Sequence, residues 1–276
     1  MNNVVVRSIS GVVFILAMLA CLMFNKFLFA GLIIFIMSVM LLEFYHITMG
    51  NSYTFSKVLA IIAAIFLFGL LFATASYHIP IRFVAFAMVP IFIVMINSLY
   101  VKDKDEYGKF SNIYTGLLYI AVPIAQSNLI AFDKAGNFSG NLLLCFFIII
   151  WCSDVGAFAF GISLGKIFPQ KLFPSVSPKK TWIGFIGGLV SSVLAAFALY
   201  EFGILKFPLI HCLILSFIMS VTGVYGDLFE SQWKRVYGVK DSGKIIPGHG
   251  GFLDRFDSTL MAMPFGAIYL AIFDLL

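Results

Sequence analysis

Charged side chains are scarce in this sequence. Asp, Glu, Lys and Arg make up 11% of its 276 residues, whereas 61% are hydrophobic and the mean hydropathy is +1.02. Soluble domains contain about 45–50% apolar and about 25% charged residues. Several apolar runs also exceed the roughly 18 residues that a membrane-spanning helix needs. The composition therefore excludes a water-soluble fold and predicts an integral membrane protein.

Cysteine is also rare, and its placement excludes two kinds of site. The four cysteines all lie in apolar stretches, with no CxxC pair and no histidine at ligand spacing. They predict packed thiols rather than a disulfide or a zinc site. The sequence shows neither a heptad pattern nor an internal repeat, which excludes coiled coils and solenoids. The first apolar run has no A-x-A-like cleavage site and is predicted to be a retained span.

What the sequence does contain is a series of apolar runs bounded by charges, Pro or Gly. In lipid, helices satisfy their own backbone polar groups, and the runs lack the alternation of barrel strands. We therefore predict an all-α, polytopic membrane protein with about nine transmembrane helices. They lie near residues 9–24, 27–46, 58–77, 81–100, 112–132, 141–161, 182–200, 208–228 and 257–275. The polar break at Asn25 and Lys26 is short, so eight spans stay an alternative.

The loop charges predict how these helices are oriented. With nine spans, most of the 18 Lys and Arg residues fall on one side of the membrane, and the other side holds Lys26, Arg82, Lys134 and Lys206. Short cytoplasmic loops collect positive charge. We therefore expect a cytoplasmic N-terminus, cytoplasmic loops at 162–181 and 227–257, and a C-terminus outside. The compact chain favours the inner membrane of a bacterium.

Two polar motifs lie at the ends of apolar runs. The segment 226–231 reads GDLFES, so Asp227 and Glu230 share a face if the helix continues. Two carboxylates at a membrane border cost free energy unless a positive charge accompanies them, and a divalent cation is one candidate.

The second motif, residues 247–257, reads PGHGGFLDRFD. Gly-rich turns let backbone N–H groups approach phosphate, and a helix N-terminus adds a favourable dipole. Asp254 and Asp257, together with Asp227, supply the hard oxygen ligands that Mg²⁺ accepts. Cations between the motifs suit a polyphosphate, although lysines alone are also typical of a loop that touches anionic lipid.

These motifs belong to a longer pattern. The strings SQWKR from Ser231, KDSG from Lys240 and PGHGGxxDRxD from Pro247 resemble the signature of the phosphatidate cytidylyltransferase family. SDVGAF from Ser153 and SPKKTWIG from Ser177 are similar to two further blocks of that family, so the resemblance covers roughly residues 150 to 270. Val155 and Ile183 replace residues that are commonly polar in the family, and we assign neither a polar role.

The resemblance implies an enzyme that makes CDP-diacylglycerol and pyrophosphate from CTP and phosphatidic acid. It implies a homodimer embedded in the lipid bilayer, with no nucleic-acid partner. It also implies a Mg²⁺ ion held by Asp227 and Asp254, with a monovalent ion such as K⁺ near the same carboxylates. In this interpretation residues 1–140 form a transmembrane scaffold or dimerisation region, and residues 141–276 form the catalytic region.

The predicted site residues form two groups. Asp154 is a carboxylate in an apolar helix, which is a functional hypothesis by default. Lys179 and Lys180 precede a helix start, where a phosphate would meet both cations and the helix dipole. The predicted substrate-binding residues are Asp154, Lys179, Lys180, Ser231, Lys240 and Asp241. The predicted catalytic residues are Asp227, Lys234, Arg235, His249, Asp254, Arg255 and Asp257.

Three alternative functions fit the sequence less well. A secondary transporter could use Asp154 in a substrate path, but the inverted repeats that it predicts are not visible. A CDP-alcohol phosphotransferase would need the motif DGxxAR followed by GxxxDxxxD, which is absent. A CTP-dependent lipid kinase would not account for the full signature. Glu43, near the end of the second apolar run, is assigned no role.

Overall fold

The computed structural model describes residues 3–100, 107–248 and 250–276, with side chains described from residue 10 onward. The chain divides into two compact units. The first comprises Met1–Ser139 and Asp241–Arg255, and the second comprises Gly140–Lys240 and Phe256–Leu276. The described residues are mostly helical, which confirms the predicted all-α membrane fold. The division into a scaffold and a catalytic region stays a prediction.

The first unit begins with helices of membrane-spanning length. They are α1 (Asn3–Phe24), α2 (Lys26–Met49), α3 (Thr54–Tyr77), α4 (Ile81–Ser98) and α5 (Tyr107–Ala131). A single residue, Asn25, separates α1 from α2, and its side chain accepts a hydrogen bond of 2.7 Å from the Phe27 N–H. Asn25 is thus an N-cap. The predicted polar break therefore divides two helices, which favours nine segments over eight.

Helix α2 packs closely against α5 in this unit. Tyr45 is fully buried, and its hydroxyl donates to the carbonyl of Ile113 at 3.0 Å. Gly116 lies against the Tyr45 ring, where a Cβ atom would overlap it. Helix α5 then continues through a turn of π-helix at Leu117–Ala121. These contacts fix the second half of α2.

The second unit contains α6 (Asn141–Ser163), α7 (Trp182–Glu201), α8 (Leu209–Val236) and most of α9 (Leu253–Ile272). A small antiparallel hairpin of β1 (Lys171–Phe173) and β2 (Ser177–Thr181) joins α6 to α7. Glycines let α6 and α7 approach closely, since a Cβ at Gly188 would lie 2.8 Å from the Ser153 carbonyl oxygen. The hairpin was not predicted, because its residues read only as a charged loop.

Helices α2 to α8 are long and apolar enough to cross a membrane. The described side chains of α1 give a shorter apolar stretch, Ser10–Phe24, and α9 carries charged residues in its first two turns. Several predicted boundaries differ by a few residues, and two of the differences concern the polar motifs. Helix α8 continues beyond residue 228 to Val236, and α9 begins at Leu253 rather than near 257. Both shifts place charged residues of the motifs on helices, and the oppositely charged pair of Glu230 and Lys234, four residues apart, supports the added turns of α8.

Candidate active site

Asp227 lies in the second unit, at the end of the apolar run of α8. The Lys180 Nζ atom is 2.5 Å from Asp227 Oδ2, and the Ser231 hydroxyl donates to Oδ1 at 3.2 Å. The side chains of Lys180 and Asp227 are 26% and 30% exposed. The helix therefore does continue through the first motif, and it presents a paired but accessible carboxylate.

The β-hairpin delivers Lys180 to this position. Lys180 is the penultimate residue of β2, and the next residue, Thr181, caps α7 by accepting a hydrogen bond of 3.2 Å from the Gly184 N–H. This cap fixes the strand-to-helix junction, because it satisfies an N–H group that has no partner in the first turn. Lys179 precedes Lys180 and is exposed. The two predicted lysines thus have different environments.

A second ion pair lies farther along α8. Glu230 is almost fully buried, and its Oε2 atom is 2.6 Å from the Lys234 Nζ atom. Arg235 donates from Nη1 to the Val239 carbonyl oxygen at 3.3 Å. Lys234 is therefore matched by a carboxylate one helical turn earlier. A contact of Lys234 or Arg235 with phosphate stays a prediction.

Helices α6 and α9 bring two further carboxylates to this region of the second unit. The Ser258 hydroxyl donates to Asp154 Oδ1 at 3.5 Å. Asp257 is close enough to Asp154, Asp227 and Glu230 for their charges to interact. Residues from three blocks of the signature are thus neighbours, and they form a strongly acidic group that the Lys180 and Lys234 side chains partly neutralise.

Asp254 lies in the first unit and has a different kind of environment. The Ser242 N–H donates to both of its carboxylate oxygens, at 3.1 and 2.9 Å, and the Gly251 N–H donates to Oδ2 at 2.9 Å. The Asp254 N–H in turn donates to the Ser242 hydroxyl at 3.3 Å. Asp254 thus joins the two ends of the segment 242–254, the signature loop, by backbone hydrogen bonds.

The same loop is held by a residue that sequence reasoning missed. Glu43, on α2, accepts hydrogen bonds from the Ser242 hydroxyl at 3.2 Å, the Phe252 N–H at 3.1 Å and the Leu253 N–H at 2.9 Å. One signal was present in the sequence, namely a lone carboxylate within an apolar span. Its partners could not be found by spacing, since they lie about 200 residues later in the chain.

Comparison with known proteins identifies the family. A model of the cytidylyltransferase family matches residues 5–273. A phosphatidate cytidylyltransferase of Bacillus subtilis (strain 168) is 37% identical over 187 residues, which are 68% of this chain and 68% of that protein. The chain belongs to the cytidylyltransferase family. Membership confirms the nucleotidyltransferase class that the signature implies.

Staphylococcal relatives are more similar over a shorter stretch. The phosphatidate cytidylyltransferases of Staphylococcus saprophyticus and Staphylococcus aureus (strain COL) are 45% and 46% identical over 124 residues. These alignments span 45% of this chain and 46% of each relative, so they cover less than half of those proteins. The family is shown by the two longer matches.

The roles of several predicted site residues stay predictions. Lys240, Asp241 and Arg255 lie at the protein surface, and His249 lies outside the described residues. Their roles toward substrate rest on the resemblance of the signature alone.

The carboxylates fit a magnesium ion that arrives with a nucleotide. Within the described part of the chain, no three His, Cys, Asp or Glu side chains are grouped as a metal cage. Mg²⁺ is commonly bound by one or two carboxylates together with water and substrate phosphates. Asp227 has an accessible carboxylate, and Asp254 is a second carboxylate of the motifs. Both residues are of the hard oxygen-donor type that Mg²⁺ accepts, so the residue types fit the ion.

Proposed function

We propose that this chain is a phosphatidate cytidylyltransferase. A phosphate oxygen of phosphatidic acid attacks the α-phosphorus of CTP in line and forms a new P–O bond. The bond from the α-phosphorus to the oxygen that bridges to the β-phosphate breaks, and pyrophosphate leaves with that electron pair. The products are CDP-diacylglycerol and pyrophosphate, without a covalent intermediate on the protein.

The accessible pair of Lys180 and Asp227 is the observation that supports this proposal best. Phosphoryl-type transfer needs positioning and neutralisation of charge rather than a protein nucleophile. Lys180 places a cation beside a carboxylate at the end of a spanning helix. Lys179, Lys234, Arg235, Lys240 and Arg255 are further cations for the phosphates, and Ser231 orients Asp227 by its hydrogen bond.

Asp227 and Asp254 are the residues that would hold Mg²⁺. The ion would neutralise charge on the transferred and leaving phosphates. Asp154, Asp241, His249 and Asp257 complete the proposed site, and the Ser258 hydroxyl holds Asp154. A monovalent cation such as K⁺ is part of the proposal as a second ion.

The membrane setting suits a lipid substrate. The phosphatidic acid head group lies at the bilayer surface, and CTP arrives from water. The polar end of α8 follows an apolar segment, and the polar end of α9 precedes one. Each end can therefore contact both a lipid head group at the bilayer surface and a nucleotide in water. We further propose that these ends face the cytoplasm of a bacterium, that the C-terminus lies outside, and that the protein is a homodimer.

The test is release of pyrophosphate from CTP by the detergent-purified protein, with phosphatidic acid and Mg²⁺. Release that requires the lipid, together with formation of a CDP-lipid, would support the proposal. Asp227→Ala and Asp254→Ala should abolish both signals in protein that stays monodisperse. Absence of release from the folded wild-type protein with several phosphatidic acids would contradict it.

A further inference from the structure

Glu43 is a buried carboxylate that the proposed chemistry does not use. It is 6% exposed and lies near the end of α2, a helix that is long and apolar enough to cross a membrane. A carboxylate in such surroundings is costly unless its oxygens accept good hydrogen bonds. Those bonds come from a hydroxyl and two backbone N–H groups of the signature loop.

Two of these bonds cap helix α9. The first N–H groups of a helix have no partner within it, and a negative charge at that end is favourable. Phe252 precedes α9 and Leu253 begins it, and their N–H groups donate to Glu43 Oε1 and Oε2. Glu43 therefore caps the N-terminus of α9, although it lies 210 positions before Leu253 in the sequence.

The third bond links Glu43 to Asp254. The Ser242 hydroxyl has one proton, which it donates to Glu43, and it accepts the N–H of Asp254. The Ser242 N–H then donates to the Asp254 carboxylate. Through Ser242, the orientation of Asp254 depends on Glu43.

Two glycines of the signature make room for this carboxylate. A Cβ at Gly243 would overlap the Glu43 side chain, and a Cβ at Gly251 would overlap both Glu43 and the Ser242 hydroxyl. Neither glycine has a positive φ. These positions therefore need space rather than an unusual backbone conformation, and the space is filled by Glu43.

We propose that Glu43 is a positioning residue of the active site. It holds the loop from Ser242 to Asp254 and the first turn of α9 in place, so that the Asp254 carboxylate is oriented before substrates bind. The kinetic part of this inference rests on the proposed function, whereas its structural part does not. The first half of the chain thereby contributes directly to the site, beyond a scaffold.

The experiment compares Glu43→Ala and Glu43→Gln in the purified full-length protein. In Glu43→Ala, amide exchange of peptides covering 250–255 should accelerate by about tenfold to a hundredfold, because hydrogen bonds to a charged group are lost. The kcat should fall by about tenfold or more, with a smaller change in the KM for CTP, because orientation acts mainly in the transition state. Glu43→Gln keeps an acceptor oxygen and should recover part of both losses.

Glu201→Ala is the matched control, since Glu201 ends α7 and is exposed. It should leave exchange at 250–255 and kcat at wild-type values. Native exchange at 250–255 with native kcat in Glu43→Ala would overturn the proposal. A protein without any transferase activity would contradict the proposed function, and the exchange measurement would still decide the role of Glu43.

A general loss of folding in Glu43→Ala would show as fast exchange throughout α2, α3 and α5. Ser242→Ala then decides, because it removes the hydroxyl link and keeps the Glu43 bonds to Phe252 and Leu253. Faster exchange confined to 242–255 with a lower kcat would support the proposal. Exchange and kcat that both match the wild type would overturn it.

Discussion

The two aspartates that the signature predicts as metal ligands are held by different kinds of donor. Asp227 is bound by the Lys180 ammonium group and the Ser231 hydroxyl, whereas Asp254 is bound by backbone N–H groups of Ser242 and Gly251. A lysine side chain can leave by rotating about its own bonds. Backbone donors can leave only if the loop changes conformation.

Under the proposed function, this difference would give the two carboxylates different tasks. Asp254 is fixed by the fold and is oriented before any ligand arrives. Asp227 is neutralised by a partner that can exchange for a cation or move toward a phosphate. If both are metal ligands as proposed, Asp254 would set the geometry and Asp227 would accept the incoming charge.

The largest expected effect comes from removing either charge. Asp227→Asn and Asp254→Asn should each lower the transfer rate by about 10²- to 10³-fold, the range typical of lost electrostatic stabilisation. Of these two variants, we expect Asp254→Asn also to accelerate amide exchange in 242–251, because Asp254 accepts backbone N–H bonds from that loop, whereas Asp227 pairs with Lys180 and Ser231. Initial rates and exchange mass spectrometry measure the two effects. Wild-type amide exchange in Asp254→Asn would contradict the claim that Asp254, unlike Asp227, holds the loop.

A smaller effect is expected from the lysines of the hairpin. Lys180→Ala should lower the rate by about tenfold to a hundredfold, because Asp227 loses its cation and the phosphates lose a donor. Lys179→Ala, at the exposed neighbour, serves as the control and should have the smaller effect. Initial rates at saturating CTP separate them, and equal losses would show that Asp227 pairing is not the reason.

Glycine substitutions test whether the loop that holds Asp254 is tightly packed. Gly251→Ala should destabilise the protein by about 1–3 kcal/mol, because its Cβ overlaps Glu43 and Ser242. Gly69→Ala in α3, where a Cβ meets nothing within 4 Å, should be neutral or stabilising by up to about 1 kcal/mol. Thermal unfolding in detergent measures both. A native Tm for Gly251→Ala would contradict the close approach.

The smallest effect concerns Asp133, a carboxylate that also accepts backbone N–H bonds but lies in an exposed loop. The N–H and side chain of Asn137, then the Ala135 N–H, hold the pKa of Asp133 below its usual value. Because the folded pKa is the lower one, its stabilisation is present above the unfolded value of about 3.9 and declines as pH falls through the folded pKa.

Asp133→Asn should therefore leave transfer activity unchanged and weaken only that slight pH dependence of the Tm. Thermal unfolding of both proteins between neutral and acidic pH measures it. A loss of activity at an unchanged Tm would contradict the prediction that Asp133 takes no part in the transfer.

The motifs predicted most of the residues that meet in the second unit. Asp154, Lys180, Asp227 and Asp257 were identified separately, and the structure brings their side chains together around the end of α8. The sequence could not show that Lys234 pairs with Glu230, because the predicted helix stopped before that turn. It also could not show the hairpin that carries Lys180, since charged residues in β2 give no apolar alternation.

Local chemistry determined the membrane helices from the sequence alone. An apolar run in lipid must satisfy its backbone within itself, so each helix follows from about 20 successive residues and needs no distant partner. The acceptor for the first N–H groups of α9 is different, since Glu43 reaches Leu253 from 210 residues away. Only the tertiary structure decided that pairing, because a hydrogen bond depends on distances in space that sequence spacing does not fix.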